Sequence, residues 1–209
     1  MNYVTLKNGD KISVMGLGTA KLGTANKTEG TQIVKTAMKH GVDLIDMKAN
    51  HAMAFVFVGE ATDGRRDQVT LVLHFGPDYS KGDERRVTAL EQVMNSVTAQ
   101  MQTLRIDILQ YACLDCPAGM ADLDAAAKNG VMPLLQELKG ARVIHNLCAY
   151  TEDAESVAPL LATGKFAFVL AKAGDDVLLY EEAGNPLATI KSPADLAQLH
   201  VMLKEYKEN

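Results

Sequence analysis

The stretch TEGTQIVKTAMKHGVDLIDM, residues 28–47, contains one helix and one strand in succession. Thr28 is placed to cap a helix, and Ile33, Val34, Ala37 and Met38 fall on one of its faces. The helix stops at His40-Gly41, where a cation suits the carbonyl end and glycine suits the left-handed turn. Val42–Met47 then follows as a strand.

The same alternation extends outward in both directions. A strand Met15–Thr19 precedes it. After it come a helix Met53–Thr62, a strand Val69–Phe75, a long helix from Asp83 to about Gln102, and a strand Ile106–Ala112. A helical stretch Met120–Leu138 is interrupted at Asn129-Gly130. A strand Arg142–Leu147, a helix Thr151–Leu161 capped at Gly164 and a strand Phe166–Leu170 complete the series. Strands alternating with helices predict a parallel sheet. Six such units suit a (β/α) barrel, with an open doubly wound sheet as the other arrangement the pattern allows.

The two ends break the rhythm. Tyr3–Leu6 and Lys11–Val14 flank Asn8-Gly9-Asp10 and read as a hairpin. Beyond Lys172, Asp176–Glu182 and Leu187–Lys191 form a second hairpin across Ala183-Gly184-Asn185-Pro186. Ser192-Pro193 then opens a last helix as cap and first residue, with Leu196, Leu199, His200 and Leu203 on one side. The expectation is an α/β fold: a partial (β/α)8 TIM barrel of about six βα units, residues 1–172, with a C-terminal β-hairpin and helix, residues 173–209, packed on the same domain. Six parallel strands leave two edges of unpaired backbone. Either the C-terminal hairpin and helix cover them or a second chain does, so a homodimer or larger assembly is expected.

Composition narrows function by exclusion. The chain has 209 residues, 47% of them hydrophobic, and a formal net charge of -5. It offers no basic stripe to a phosphate backbone, which argues against nucleic acid. No apolar run is long enough to span a membrane, and Met1–Lys11 has no secretory apolar core. Three cysteines fit a reducing compartment better than a disulfide framework, so the expected location is the cytoplasm.

Several fragments resemble aldo-keto reductases, particularly the clade whose members often carry an iron–sulfur segment. They are Leu6–Thr19, Gly41–Asp46, Gly64–Val69, Leu104–Gln110 and Gly140–Ile144, in the family's order and spacing, over roughly Tyr3 to Leu170. The resemblance implies a TIM barrel that binds NADPH and reduces carbonyls with an Asp, a Tyr proton donor, a Lys and a His. Asp46 matches the Asp. His51 stands where the Tyr is expected, His74 replaces the Lys, and Ala112 corresponds to the His. The Ser-Asn pair that holds the nicotinamide corresponds to Cys148 and Ala149, and the chain ends before counterparts of the last cofactor-holding loops. Only Lys191-Ser192, before the last helix, is similar to the contact the family makes with the 2′-phosphate. Conventional NADPH-dependent carbonyl reduction is therefore not expected.

Other chemistry has its own candidates. Cys113 and Cys116 form a Cys-x-x-Cys past the fourth strand and Cys148 ends the fifth, which places all three on one barrel rim. Thiolates so grouped hold zinc or an iron–sulfur cluster, with His51, His74 or Asp115 completing the shell; inert apolar packing is the bland alternative. Asp46, His51 and His74 could run acid–base chemistry on a small ligand, or be polar replacements in an idle cavity. Gly16-x-Gly18 lacks the third glycine of a dinucleotide fingerprint. His145 is expected on the helix-facing side of its strand. The functional expectation is a small-ligand- or metal-binding non-canonical enzyme or redox subunit. A non-catalytic structural or interaction module and an unusual NADPH oxidoreductase are the alternatives.

Overall fold

The computed structural model describes residues 1–208; Asn209, the end of the expected C-terminal segment, lies outside the described residues. A hairpin of β1 (Tyr3–Thr5) and β2 (Lys11–Ser13) leads into β3 (Met15–Gly18), α1 (Lys27–Lys39), β4 (Leu44–Asp46), α2 (Met53–Thr62) and β5 (Thr70–Phe75). A small hairpin, β6 (Pro77–Asp78) and β7 (Arg85–Arg86), precedes α3 (Leu90–Leu104) and β8 (Leu109–Asp115). Then follow α4 (Met120–Lys128), α5 (Val131–Gly140), β9 (Ile144–Thr151), α6 (Val157–Ala162), β10 (Val169–Ala173), β11 (Asp176–Tyr180), β12 (Ala188–Lys191) and α7 (Leu196–Glu208).

The barrel closes in the order β3-β4-β5-β8-β9-β10-β11-β12 and back to β3. β11 runs antiparallel to both neighbours, and β12 lies parallel to β3 through Thr189↔Met15, Ile190↔Gly16 and Lys191↔Leu17. The C-terminal hairpin thus supplies the seventh and eighth staves itself: β11 is antiparallel and has no helix of its own, whereas β12 is followed by α7, which packs beside α1. The edges from which a second copy was expected are paired within the chain, so that argument for an assembly falls away.

Period-two alternation sorts the strands into two cores. Leu44, Val72, Tyr111, Cys113, Cys148, Leu170, Leu179 and Ile190 fill the barrel, and Leu6 and Ile12 of the first hairpin close its N-terminal end. Ile45, Leu71, Leu73, Ala112, Leu114, Leu147 and Val169 face the helices. Gly16 and Gly18 are required by this packing: a Cβ at Gly16 would stand 2.8 Å from Ile190, and one at Gly18 would collide with Ser192.

Several boundaries depart from the sequence reading. Asn26, not Thr28, caps α1 by accepting from the Glu29 N–H at 2.9 Å. The helix expected from Asp83 starts only at Leu90, because Asp78 pairs with Arg85 and Ser80 and Gly82 takes φ +96°, turning the segment into a hairpin. β8, β9 and β10 reach three or four residues further than read, since the residues beyond Ala112, Leu147 and Leu170 stay in the ladder. Asp195, not Ser192, caps α7 by accepting from Gln198 N–H at 2.8 Å. Among the described residues no helix is long and apolar enough to cross a membrane.

Candidate functional site

At the C-terminal ends of β4, β5 and β8, inward-facing positions carry Asp46, His74 and Asp115. TIM barrels place their chemistry at this end. His74 Nε2 lies 2.6 Å from Asp46 Oδ1 and its Nδ1 lies 2.6 Å from Asp115 Oδ1. Two carboxylates can be met at once only if both ring nitrogens donate, so the ring is an imidazolium. Burial opposes that charge, yet His74 is held well above 6.5 by Cys113, Asp46 and Asp115. Of these three the carboxylates act, because burial pushes the Cys113 thiol well above its usual range and leaves it neutral.

The relay continues outward. Lys48 Nζ reaches Asp115 Oδ2 at 2.7 Å and Glu84 Oε1 at 2.6 Å. Burial works against the ammonium, but Asp115 and Glu84 together raise its pKa. Asp115 is likewise lowered: His74, then Lys48, outweigh its burial. Glu84 belongs to the segment between β6 and β7, which is pinned across the mouth. Ala52 N–H donates to Gly82 O at 2.7 Å, Glu84 N–H to Asn50 O at 2.9 Å, and Tyr79 Oη–H to Ala49 O at 2.8 Å. Tyr150 packs its ring edge-on to His74 at 5.7 Å, with Lys48 Nζ 5.2 Å from its centroid.

The structure brings together only part of what the sequence proposed. Asp46 and His74 meet. His51 does not join them: its Nδ1 accepts from Met53 N–H at 3.1 Å at the start of α2, and it packs on Gly23 and Gly82. Ala112 faces the helices, so the position opposite His74 on that strand belongs to Cys113, with Asp115 beyond it. The shared cysteine rim is also corrected. Cys113 and Cys148 sit side by side inside the barrel within β8 and β9, whereas Cys116 lies in the helix-facing core. All three are buried, and burial raises each thiol, so none is held as a thiolate. Among the described residues no three His, Cys, Asp or Glu side chains are grouped to hold a metal ion. His145 is solvent-exposed on β9, and His200 is exposed on α7.

The anion site expected at Lys191 and Ser192 is filled by the protein's own acids. Lys191 Nζ lies 3.7 Å from Asp176 and 3.8 Å from Glu205. The first amides of α7 meet Asp195 and, through Leu196 N–H at 3.4 Å, Glu29. Ser192 packs against Gly18.

Sequence reasoning missed Lys48, Glu84, Asp115 as an ion partner, and Tyr150. Lys48 was within reach, since it stands two residues beyond Asp46. Asp115 was hidden by ending its strand at Ala112, and Glu84 by reading its segment as helix.

With this geometry established, comparison places the chain. Among solved structures, a protein from Pseudomonas aeruginosa described as an aldo-keto reductase is 22% identical, with a TM-score of 0.64 over 77% of this chain and 64% of that one. An aldo-keto reductase from Bacillus halodurans, in its holo form, has a TM-score of 0.73 at 15% identity over 99% of this chain and 91% of that one. One from Brucella melitensis has a TM-score of 0.54 at 16% identity over 77% and 58%. The chain covers less than two thirds of the Pseudomonas and Brucella structures, and identities this low establish the shared fold alone. No curated protein sequence matches the chain. The model of the aldo/keto reductase family, however, matches residues 14–169 of the 209, and the chain belongs to that family.

Proposed function

We propose that this chain is a non-reducing member of the family, a binding protein whose barrel mouth is closed by internal ion pairs. One observation carries the reading: His74, where the resemblance puts the catalytic Lys, is 1% exposed and gives both ring nitrogens to buried carboxylates. Carbonyl reduction needs an acidic proton aimed at the developing alkoxide. Tyr150 does not supply it. Burial, followed by Glu152, pushes its phenol pKa up, and Lys48 stands over the ring.

NADPH would supply the hydride in this family, and the residues present do not fit it. Cys148 and Ala149, in place of the Ser-Asn pair, are fully buried and face opposite sides of β9. Lys191 is paired with acids. The free, buried cysteines suit a cytoplasmic setting. The test is titration with NADPH, followed by nicotinamide fluorescence and thermal shift, together with cofactor consumption over a panel of aldehydes and ketones. No saturable signal and no turnover are expected; saturable binding with turnover of any carbonyl would overturn the proposal.

A further inference from the structure

The turn of residues 105–108, between α3 and β8, separates two apolar hollows. The larger, about 570 Å³, opens where α3 and α5 stand apart; Met94, Val97 and Met101 line it from α3, Leu138 from α5, and Val143 closes it. The smaller, about 230 Å³, is lined by Val69, Leu71 and Ile108. The two share Ile106 and Leu109, so the apolar surface is continuous across the turn. Ile108 stands out of it, 54% exposed. Scattered exposed hydrophobics need no explanation, whereas a connected apolar surface marks an interaction site.

The charges on this face are opposite in sign and unspent. Arg105 pairs with Asp63, but among the described residues neither Asp107, on the rim of the larger hollow, nor Arg142, next to Val143, has a side-chain partner. Arg142 also holds φ +61°, a conformation that glycine adopts without strain and other residues do not; only Arg105, at +57°, shares it among the described non-glycine residues. An arginine kept in such a place points to a use for its guanidinium, and within one chain Arg142 finds none.

We propose that this face is a two-fold interface between two copies of the chain. A different partner would supply only what the face lacks, whereas here knob and hollow, acid and base, stand side by side. An axis passing between them carries each Ile108 onto the larger hollow of the other copy and sets each Asp107 opposite the partner's Arg142. Burial of Ile108 among methionine and leucine side chains drives the association, and the rim charges fix its register. The face lies at the N-terminal end of the barrel, opposite the mouth, and does not rest on the binding reading above.

Sedimentation velocity on the full-length chain, from about 1 µM to about 100 µM, tests it. A shift from one copy to two across that range is expected. Ile108→Lys, at a position already exposed, should weaken the association about tenfold or more and leave the circular dichroism spectrum and urea midpoint unchanged. Asp107→Arg brings like charges together and should weaken it about tenfold, whereas Asp107→Arg combined with Arg142→Asp should return to within about threefold of the parent affinity. A chain that stays single at every concentration leaves the face to some other partner and overturns the proposal. So would a dimer indifferent to Ile108→Lys, or a charge-swapped protein that associates no more tightly than Asp107→Arg alone.

Discussion

The two ends of the barrel interior solve one problem by opposite means. At the N-terminal end, Leu6 and Ile12 are laid over Tyr111 and Phe168, and the polar content is a phenol that donates to Asp10 Oδ2 at 2.5 Å and accepts from Asn8 Nδ2 at 2.7 Å. At the C-terminal end the closure alternates charge: Asp46, His74, Asp115, Lys48, Glu84. An apolar plug gains free energy from burial and is indifferent to protonation. A buried ion relay is stable only while every member is present and correctly ionised. The end where the family does chemistry is therefore the fragile one.

Breaking the relay at its centre should have the largest effect. His74→Leu leaves Asp46 and Asp115 buried without the cation between them, and removal of one partner from a buried pair costs about 3–5 kcal/mol. Urea unfolding should show a loss of this order at unchanged m-value. A loss below about 1 kcal/mol would mean that the imidazolium assignment is wrong.

Removing part of the plug should cost somewhat less. Ile12 is fully buried, and Ile12→Ala removes three carbons from a site that can relax only in part, for a loss on the order of 3 kcal/mol. The comparison is sharpened by pH. His74 is raised, so its contribution is complete below 6.5 and is lost as pH climbs through the higher folded value. Asp115 is lowered, so its contribution is present above 3.8 and is lost as pH falls through the lower folded value. Thermal midpoints should be highest between these limits and decline on both sides. In His74→Leu the alkaline decline should disappear, whereas Ile12→Ala should keep it. A midpoint that rises steadily from pH 6.5 to alkaline pH would contradict the relay.

How much of this was legible follows the same division. The plug and the helix-facing core were readable because apolar period and turn residues survive any exact boundary: Asn8-Gly9-Asp10 announces its hairpin, and α2 is found where it was expected. Closure of the barrel was half legible. The strands β11 and β12 were recognised, but nothing in an apolar run states which neighbour it will pair with. The mouth depended on single-residue register. Ending a strand three residues early moved Asp115 from the interior into a loop, and reading residues 83–89 as helix removed Glu84 from the network. Lys48 and Glu84 drew no attention because most charges belong in solvent, and a relay of paired charges is the exception that patterns do not reveal.

The outer arm of the relay should matter less than its centre. Lys48 and Glu84 are 17% and 26% exposed, so water screens part of their attraction. Lys48→Met still strips Asp115 of its second cation, and about 2 kcal/mol is expected, with most of it retained when Glu84→Gln is already present. Coupling between Lys48 and Glu84 near 1 kcal/mol or less in that double-mutant cycle would place the important contact at Asp115.

The smallest effect belongs to the plug's own polar group. Tyr111→Phe removes one hydroxyl, leaving the exposed Asn8 and the partly exposed Asp10 within reach of water that replaces it. The expected loss is about 1 kcal/mol, the usual net value of a hydrogen bond whose partners stay solvated. The ring itself remains packed on Phe168, so the m-value and the pH profile should match those of the parent chain. A loss approaching that of His74→Leu would show that the N-terminal end also rests on a polar lock, and the contrast between the two ends would then be one of degree.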